Sequence, residues 1–334
     1  MKEGSVIGVV LVNYKSLNET VDYVLQQLIP DLPKPYRLVV VNNAATDELD
    51  EALCSGLDAE LVEGNTLGDP SKQHFVISCS KNLGFAKGNN LGAQFLIDHF
   101  DVHWLVFTNN DLILAAKSEV VAGLIEKCKA DSRIGVIGPK IVGPDGVDQS
   151  PSRKMSIWSL IIPRLFYPLI FPWVRAGYFR EVVMNADEGF YYRIMGSFFL
   201  MPKAAFVDCG GFDPNTFLYA EEQILSERLM QIGREAYYLS SKCVIHDHGS
   251  VTSKFHSRRQ RAWMNLSSLR YYFRTYRGTK RWEERLAVLS FYVLFFVYDP
   301  FLSILRYFAS KPNMRRSHPT TSRPVVAIQP EQRQ

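Results

Sequence analysis

The chain has few cysteines among its 334 residues, and Cys54, Cys79, Cys128, Cys209 and Cys243 stand apart with no CxxC pair. Scattered thiols exclude a disulfide framework and a cysteine-held zinc site, and they fit a reducing compartment. The opening residues, MKEGSVIGVVLVNYKS, lack a basic leader, a long apolar core and a small-residue cleavage site, so no signal peptide is expected. The glycine-rich stretch 80–97 is not GxGxxG and lacks the Lys-Ser/Thr of a P-loop, which removes the two commonest phosphate-cradling signatures there. No internal repeat is evident. Long apolar runs exist but are interrupted: 157–174 contains Pro163, Pro168, Pro172 and Arg164, and 286–305 contains Asp299-Pro300.

What is present is a chain of 47% apolar, 22% charged and 13% aromatic residues, long enough for one large core or two smaller ones. Its net charge of +4 is unevenly spread. Residues 254–334 hold 16 Lys/Arg against 4 Asp/Glu, leaving 22 against 30 for residues 1–253. A basic C-terminal part asks for a polyanion, and the apolar runs beside it favour an anionic membrane surface over nucleic acid. The prolines make 157–174 an interfacial insertion or a flap rather than a straight span. A carboxylate is costly at bilayer depth, so 286–305 is read as lying on the membrane. Residues 313–334, rich in Pro, Arg, Ser and Gln, are expected to be disordered.

Strand-like runs at 5–13, 36–42, 74–79, 102–108 and 133–138 alternate with helical periodicity after Ser16, at 85–99 and at 117–130. The spacing from Ser16 to Glu19 is that of a capping box. The alternation predicts an α/β fold with a mostly parallel sheet covered on both faces. Ligands of such sheets bind beyond the carboxyl ends of the strands. Asn13-Tyr14, Asn42-Asn43 and Asn109-Asn110-Asp111 fall at such ends.

Several of these residues carry candidate chemistry. One carboxylate at a strand end suits a hard divalent cation that shares substrate phosphates, which is the metal reading of Asp111; the alternative is an Asx turn. Gly84, Gly88 and Gly92, set around Asn82, Asn89 and Asn90, either present backbone N–H groups to a phosphate or ribose or soften a helix start that packs closely on the sheet. His246 and His248 follow an apolar strand; zinc lacks a third ligand, and a single imidazole beside Asp111 on Mg²⁺ or Mn²⁺ is more economical. In TFLYAEEQILSERL, a helix at about 100° per residue turns Glu221 into the apolar stripe and leaves Glu222 at its edge. An edge carboxylate at a helix start beside a glycine-rich turn suits a general base.

In order, VNY, VVVNNAATDE, NLGFAKGNN, FTNND, MGSFFLM, GGFD, FLYAEE and VIHDHGS resemble the family-two inverting glycosyltransferases of GT-A fold, in their rhamnosyltransferase-like branch, over residues 5–275. The resemblance implies a GT-A domain over 1–255, with 157–174 as its apolar insertion, a membrane-associating extension over 256–312 and the tail 313–334. It implies a nucleotide-sugar donor and a divalent metal. Asn13 and Tyr14 would line the nucleotide site. Asn42 stands where the family's VDN triplet has a uracil-binding aspartate, and Asn82 and Gly84 match an NxGFA-type motif near the nucleotide; Asn110 and Gly196 join this donor-binding set. Asn109 replaces the first acid of DxD, so Asp111 would be the main metal ligand, with Asn109 and His246 beside it. Glu222 takes the place of the catalytic aspartate of the ED motif, while Ile224 replaces a further acid. Gly211 and Asp213 would face the acceptor.

The function so implied is inverting transfer of a hexosyl or deoxyhexosyl group from a nucleoside-diphosphate sugar to a hydroxyl of a glycan or lipid-linked acceptor, in cell-surface polysaccharide synthesis. The expected location is the cytoplasmic side of the plasma membrane, peripheral or monotopic. Two alternatives remain from the residues alone. A sugar nucleotidyltransferase shares the sheet and the metal acid but wants a basic, glycine-rich triphosphate signature beside the first strand, and LVNYKSLNET has none. A non-catalytic nucleotide-sugar or membrane-binding module would explain Asn109 and Asn42 in place of acids.

Overall fold

The computed structural model describes residues 6–115, 118–175, 177, 180–246, 257–298 and 300. Asp299, residues 301–305, His248 and the tail 313–334 therefore lie outside the described residues, as do Met1–Ser5. Among the described residues there are ten strands: β1 (Val6–Tyr14), β2 (Tyr36–Asn43), β3 (Glu60–Val62), β4 (His74–Cys79), β5 (Val102–Thr108), β6 (Leu112–Leu114), β7 (Ile134–Val142), β8 (Gly189–Tyr191), β9 (Phe198–Pro202) and β10 (Glu235–His246). They form one sheet in the order β3-β4-β2-β1-β5-β9-β7-β10-β6, with β8 paired to β10.

The strands β3, β4, β2, β1 and β5 run parallel. Their apolar residues alternate between two cores. Val9, Leu11, Leu38 and Val40 face one, and Val10, Val39 and Val41 face the other. Burial on both faces is why these strands read as unbroken Val/Ile/Leu runs. The covering helices are α1 (Leu17–Tyr23, continued through Asp31), α2 (Asp47–Leu57), α3 (Gly84–His99) and α4 (Val120–Ala130). The last of these starts three residues later than its periodicity predicts. The capping box at α1 does not form: the Ser16 hydroxyl donates to the Glu19 carboxylate at 3.0 Å and caps no backbone amide.

β9 is antiparallel to β5, with Thr108 opposite Phe198. β6 is antiparallel to β10, with Leu112 opposite His246. These two registers bring the end of β5, the start of β9 and the end of β10 to one edge of the sheet.

The remaining helices are α5 (Ile157–Leu165), α6 (Tyr167–Arg175), α7 (Lys203–Asp208), α8 (Glu221–Gln231), α9 (Arg258–Arg277) and α10 (Arg281–Tyr292, continued by a wider turn over Val293–Tyr298). α5 and α6 are bent at 116° to each other, and no single helix among the described residues is long and apolar enough to cross a membrane. α5, α8, α9 and α10 share a third core that includes Ile161, Ile224, Leu266, Leu269, Tyr272 and Phe291.

Asp213 ties α9 to the sheet domain. Its carboxylate accepts from the Tyr271 and Tyr276 hydroxyls at 2.8 and 2.6 Å and from the Asn215 amide nitrogen at 3.0 Å. Burial alone would raise its pKa, but these hydrogen bonds outweigh burial and hold it below the usual carboxylate range. Asp213, expected on the acceptor side, is 4% exposed, and its carboxylate is engaged by α9. Gly211 also lies elsewhere, lining a separate cavity of about 590 Å³ with Phe206 and Asn90. Asp213→Ala leaves two tyrosine hydroxyls unpaired and is expected to lower unfolding stability by about 1.5–3 kcal/mol, read by urea denaturation. An unchanged midpoint would show that the latch carries no load.

Candidate active site

A cleft of about 810 Å³ opens where the two antiparallel registers meet, and Asn109, Asp111, Gly196, Glu222 and His246 line it. Each is placed by backbone pairing. The Asn109 amide donates to the Ser197 carbonyl at 2.9 Å, which sets Gly196 beside the end of β5. The pairing of Leu112 with His246 sets the imidazole beside Asp111, with His246 Nε2 at 3.4 Å from Asp111 Oδ1.

The protonation of His246 follows from Gln149. The Gln149 amide nitrogen donates to the His246 carbonyl at 3.2 Å, so the amide oxygen is the atom 2.8 Å from His246 Nδ1. That oxygen can only accept, so Nδ1 carries a proton, and Nε2 is the ring nitrogen that faces Asp111. Asp111 Oδ1 is buried and has no hydrogen-bond partner. A buried carboxylate oxygen without a hydrogen-bond partner, beside an imidazole nitrogen, is a donor set that suits a divalent cation. Among the described residues no group of three His, Cys, Asp or Glu side chains gathers as a metal cluster. The protein donors are thus Asp111 and His246, with Asn109 on the same cleft wall.

Glu222 is held by Gly196. The Gly196 amide donates to Glu222 Oε1 at 3.1 Å, while Oε2 has no partner among the described residues. A Cβ on residue 196 would stand 2.5 Å from Oε1 and 2.9 Å from Cγ, so any other residue evicts the carboxylate. The chain reaches Glu222 through Tyr219 and Ala220, both left-handed at φ 74° and 68°. Two consecutive non-glycine residues there are costly, and such strain concentrates at functional turns. Neighbouring Gly84 (φ 78°) lets the turn pass: a Cβ on it would meet the Phe217 carbonyl oxygen at 2.3 Å.

At the α3 start the structure shows the close-packing alternative. The Leu83, Gly84 and Phe85 amides donate to Asn43 Oδ1, Asn82 Oδ1 and the Phe217 carbonyl, and none of the three is left for a ligand. Gly84 is buried, and Asn82, Tyr14 and Asn110 stand outside the cleft lining. Asn13 and Asn42 are fully buried in a relay: Asn110 Nδ2 donates to Thr20 Oγ1, Thr20 to Asn13, Asn13 to Asn42 Oδ1, and Asn42 Nδ2 to Asp50 at 2.7 Å. Neither side chain offers a free edge to a base. The relay accounts for the missing aspartate, because residue 42 must donate to Asp50 and a carboxylate cannot.

The cleft also holds residues that sequence reasoning missed. Arg180, Arg193 and Arg261 converge on it, Arg193 paired with Glu181 at 2.8 Å. Arg164, read only as an interruption of an apolar run, lines it as well. Their positions along the chain carry no periodic or motif signal that would have grouped them.

Glu221 is 5% exposed and its Oε1 has no hydrogen-bond partner. Burial, then the adjacent Glu222, pushes its pKa up from 4.5 to about 8. The native state keeps this acid neutral where the unfolded chain ionises it. Stability is therefore complete below about pH 4.5 and falls as pH rises toward 8, by up to about 1.4 kcal/mol per pH unit. Glu221→Gln should flatten that decline and raise the melting temperature at pH 8 relative to the parent. Parallel melting curves for the two chains between pH 5 and 8 would mean that Glu221 is ionised in the fold.

No protein-family model matches the chain. It is 26% identical over 257 residues, 75% of its length and 78% of the relative's, to an N-acetylglucosaminyl-diphospho-decaprenol L-rhamnosyltransferase of Mycobacterium tuberculosis. Its fold is like that of GalNAc-T7, solved with UDP, GalNAc and Mn²⁺ (TM-score 0.54, 14% identity, 91% of this chain and 58% of the other). The chain thus spans a little over half of that transferase. It is also like the mannosyltransferase PcManGT from Pyrobaculum calidifontis, in complex with GDP-Man and Mn²⁺ (TM-score 0.51, 14% identity, 91% of this chain and 80% of the other). With a mixed sheet that ends in a carboxylate-lined cleft and a rhamnosyltransferase among its curated relatives, the chain is a glycosyltransferase of GT-A fold.

Proposed function

We propose that the enzyme transfers a deoxyhexosyl group, L-rhamnose as in the relative's name, from a nucleoside-diphosphate sugar to a hydroxyl of a sugar on a lipid diphosphate, with inversion. The observation that carries this reading is the placement of the Glu222 carboxylate, with Oε2 unpartnered, in the same cleft as Asp111 and His246, whose Oδ1 and Nε2 lie 3.4 Å apart. Glu222 takes the proton of the acceptor hydroxyl as that oxygen attacks the anomeric carbon. The bond from that carbon to the diphosphate oxygen breaks, and its electron pair leaves with the nucleoside diphosphate. The Gly196 N–H keeps Oε1 turned away, so that the proton is received at Oε2. Asp111, His246 and Asn109 would hold a divalent cation, which when bound supplies positive charge to the leaving diphosphate.

Glu222→Gln is expected to lower kcat about 10²–10⁴-fold with donor binding retained, measured as release of nucleoside diphosphate in the presence of a lipid diphosphate-linked N-acetylglucosamine. Unchanged turnover would remove Glu222 from the chemistry, and release of inorganic pyrophosphate would favour a nucleotidyltransferase.

The membrane reading is supported by one apolar surface. Leu169, Phe171 and Trp173 on α6 are 73%, 43% and 51% exposed, and Phe296 and Val297 after α10 are each 56% exposed. The two parts are joined by Trp158 against Trp282, ring centroids 5.7 Å apart, and by the Tyr298 hydroxyl donating to the Leu165 carbonyl at 2.7 Å. With the C-terminal basic excess, this surface suits an anionic bilayer on the cytoplasmic side. Replacing Leu169, Phe171 and Trp173 together by serine should abolish co-flotation with anionic phospholipid vesicles. Co-flotation equal to that of the parent would refute docking through α6.

A further inference from the structure

Three guanidinium groups face the cleft without a carboxylate to neutralise them. Arg164 makes no hydrogen bond or ion pair with any described residue, and its Nη1 is buried. Arg261 is likewise unpaired, with Nε buried, and exposed Arg180 stands at the rim. Two of the acids that line the cleft are already used. Glu181 pairs with Arg193, and Asp148 pairs with Lys140 at 3.2 Å and accepts from the Asn185 amide. Burial lowers the pKa of Arg164, so the fold makes this cation harder to keep charged and offers it nothing in return. An unpaired, largely buried guanidinium destabilises a fold, and it persists where a ligand supplies the counter-charge.

The position of the pair selects the ligand. Leu160 and Arg164 lie one turn apart on α5, and Arg261, Asn265 and Leu269 follow each other by single turns on α9; all five line the cleft. Both helices also join the exposed apolar surface. Arg164 precedes Phe166 and α6, and Arg261 lies two residues before Trp263, which packs on Phe291 and Tyr292 of α10. The two helices that carry these guanidinium groups thus reach from an apolar outer surface to the cleft that holds the carboxylates. A molecule with an apolar tail, a strongly anionic link and a sugar hydroxyl fits that sequence of environments.

We propose that Arg164 and Arg261 form the subsite for the diphosphate of the lipid-linked acceptor, separate from the donor diphosphate at Asp111 and His246. This rests on the glycosyl-transfer reading above and names the group that reads its acceptor. Arginine suits the task because its planar fork binds phosphate oxygens in pairs.

The test uses the full chain and calorimetric titration with farnesyl diphosphate, farnesyl monophosphate, inorganic pyrophosphate and, with Mn²⁺, a nucleoside diphosphate. The parent is expected to bind farnesyl diphosphate about tenfold tighter than the monophosphate or pyrophosphate. Arg164→Met and Arg261→Met should each weaken farnesyl diphosphate about tenfold and leave the nucleoside diphosphate within about twofold. Arg164→Met should also raise the ligand-free melting temperature by a few degrees, which a purely structural arginine would not do. Equal loss of nucleoside diphosphate would assign the arginines to the donor and overturn the inference. So would unchanged farnesyl diphosphate binding, or pyrophosphate binding as tight as the lipid's. If the binding results hold while Glu222→Gln still transfers sugar, the subsite stands and the assignment of the base fails.

Discussion

Glu222 has a place in the cleft because residue 196 has no side chain. The Gly196 amide grips one carboxylate oxygen at 3.1 Å, and a single added carbon would lie inside the contact radius of three atoms of that side chain. Much else in the structure serves this contact. The antiparallel register of β9 on β5 delivers Gly196, the left-handed pair Tyr219-Ala220 delivers Glu222, and Gly84 makes room for the turn between them. A carboxylate held by a backbone amide loses little rotamer freedom during reaction, and preorganisation of this kind is what a general base needs.

The same economy governs the polar groups beneath the sheet edge. Asn110, Thr20, Asn13, Asn42 and Asp50 form a relay in which each donor has an acceptor, so five buried or half-buried polar groups add no unsatisfied atom. The relay holds the ends of β1, β2 and β5 in relation to one another and so supports Asp111 without touching a ligand. Arg164 and Arg261 are the contrast: they belong to a set of buried polar groups left unpaired around the cleft, together with Asp111, Ser197, Glu221 and Gln223.

The third core decides what the C-terminal helices are for. Ala220 and Ile224, on either side of Glu222, pack in the same cluster as Ile161 of α5, Leu269 of α9 and Phe291 of α10. Asp213 and its two tyrosines add a hydrogen-bonded latch to that packing. The helices that bear the exposed apolar surface are thereby coupled to the turn that carries Glu222.

Much of the fold was legible because it rests on local pattern. Unbroken β-branched runs such as VIGVVLVNY and YRLVVVN mark strands buried on both faces, and the edge position of Glu222 beside an inward Glu221 follows from helical period alone. The short strands β3, β6 and β8 escaped notice, since three residues carry no periodicity. The surroundings of Asn13, Asn42, Gly84 and Asp213 were not legible for a different reason. Motif position says that such a residue is near the site, but only the three-dimensional arrangement says which way its polar atoms are spent. Asn42 turns to Asp50, Asp213 to two tyrosines on α9, and the amide of Gly84 to Asn82. By itself the sequence determined the sheet, its covering helices and the types of residue at the strand ends, because those follow from burial and period. The tertiary structure decided the pairing of Asp111 with His246, the seat of Glu222 on Gly196 and the convergence of Arg164 with Arg261. These depend on strand register and helix docking between distant segments, which no local pattern encodes.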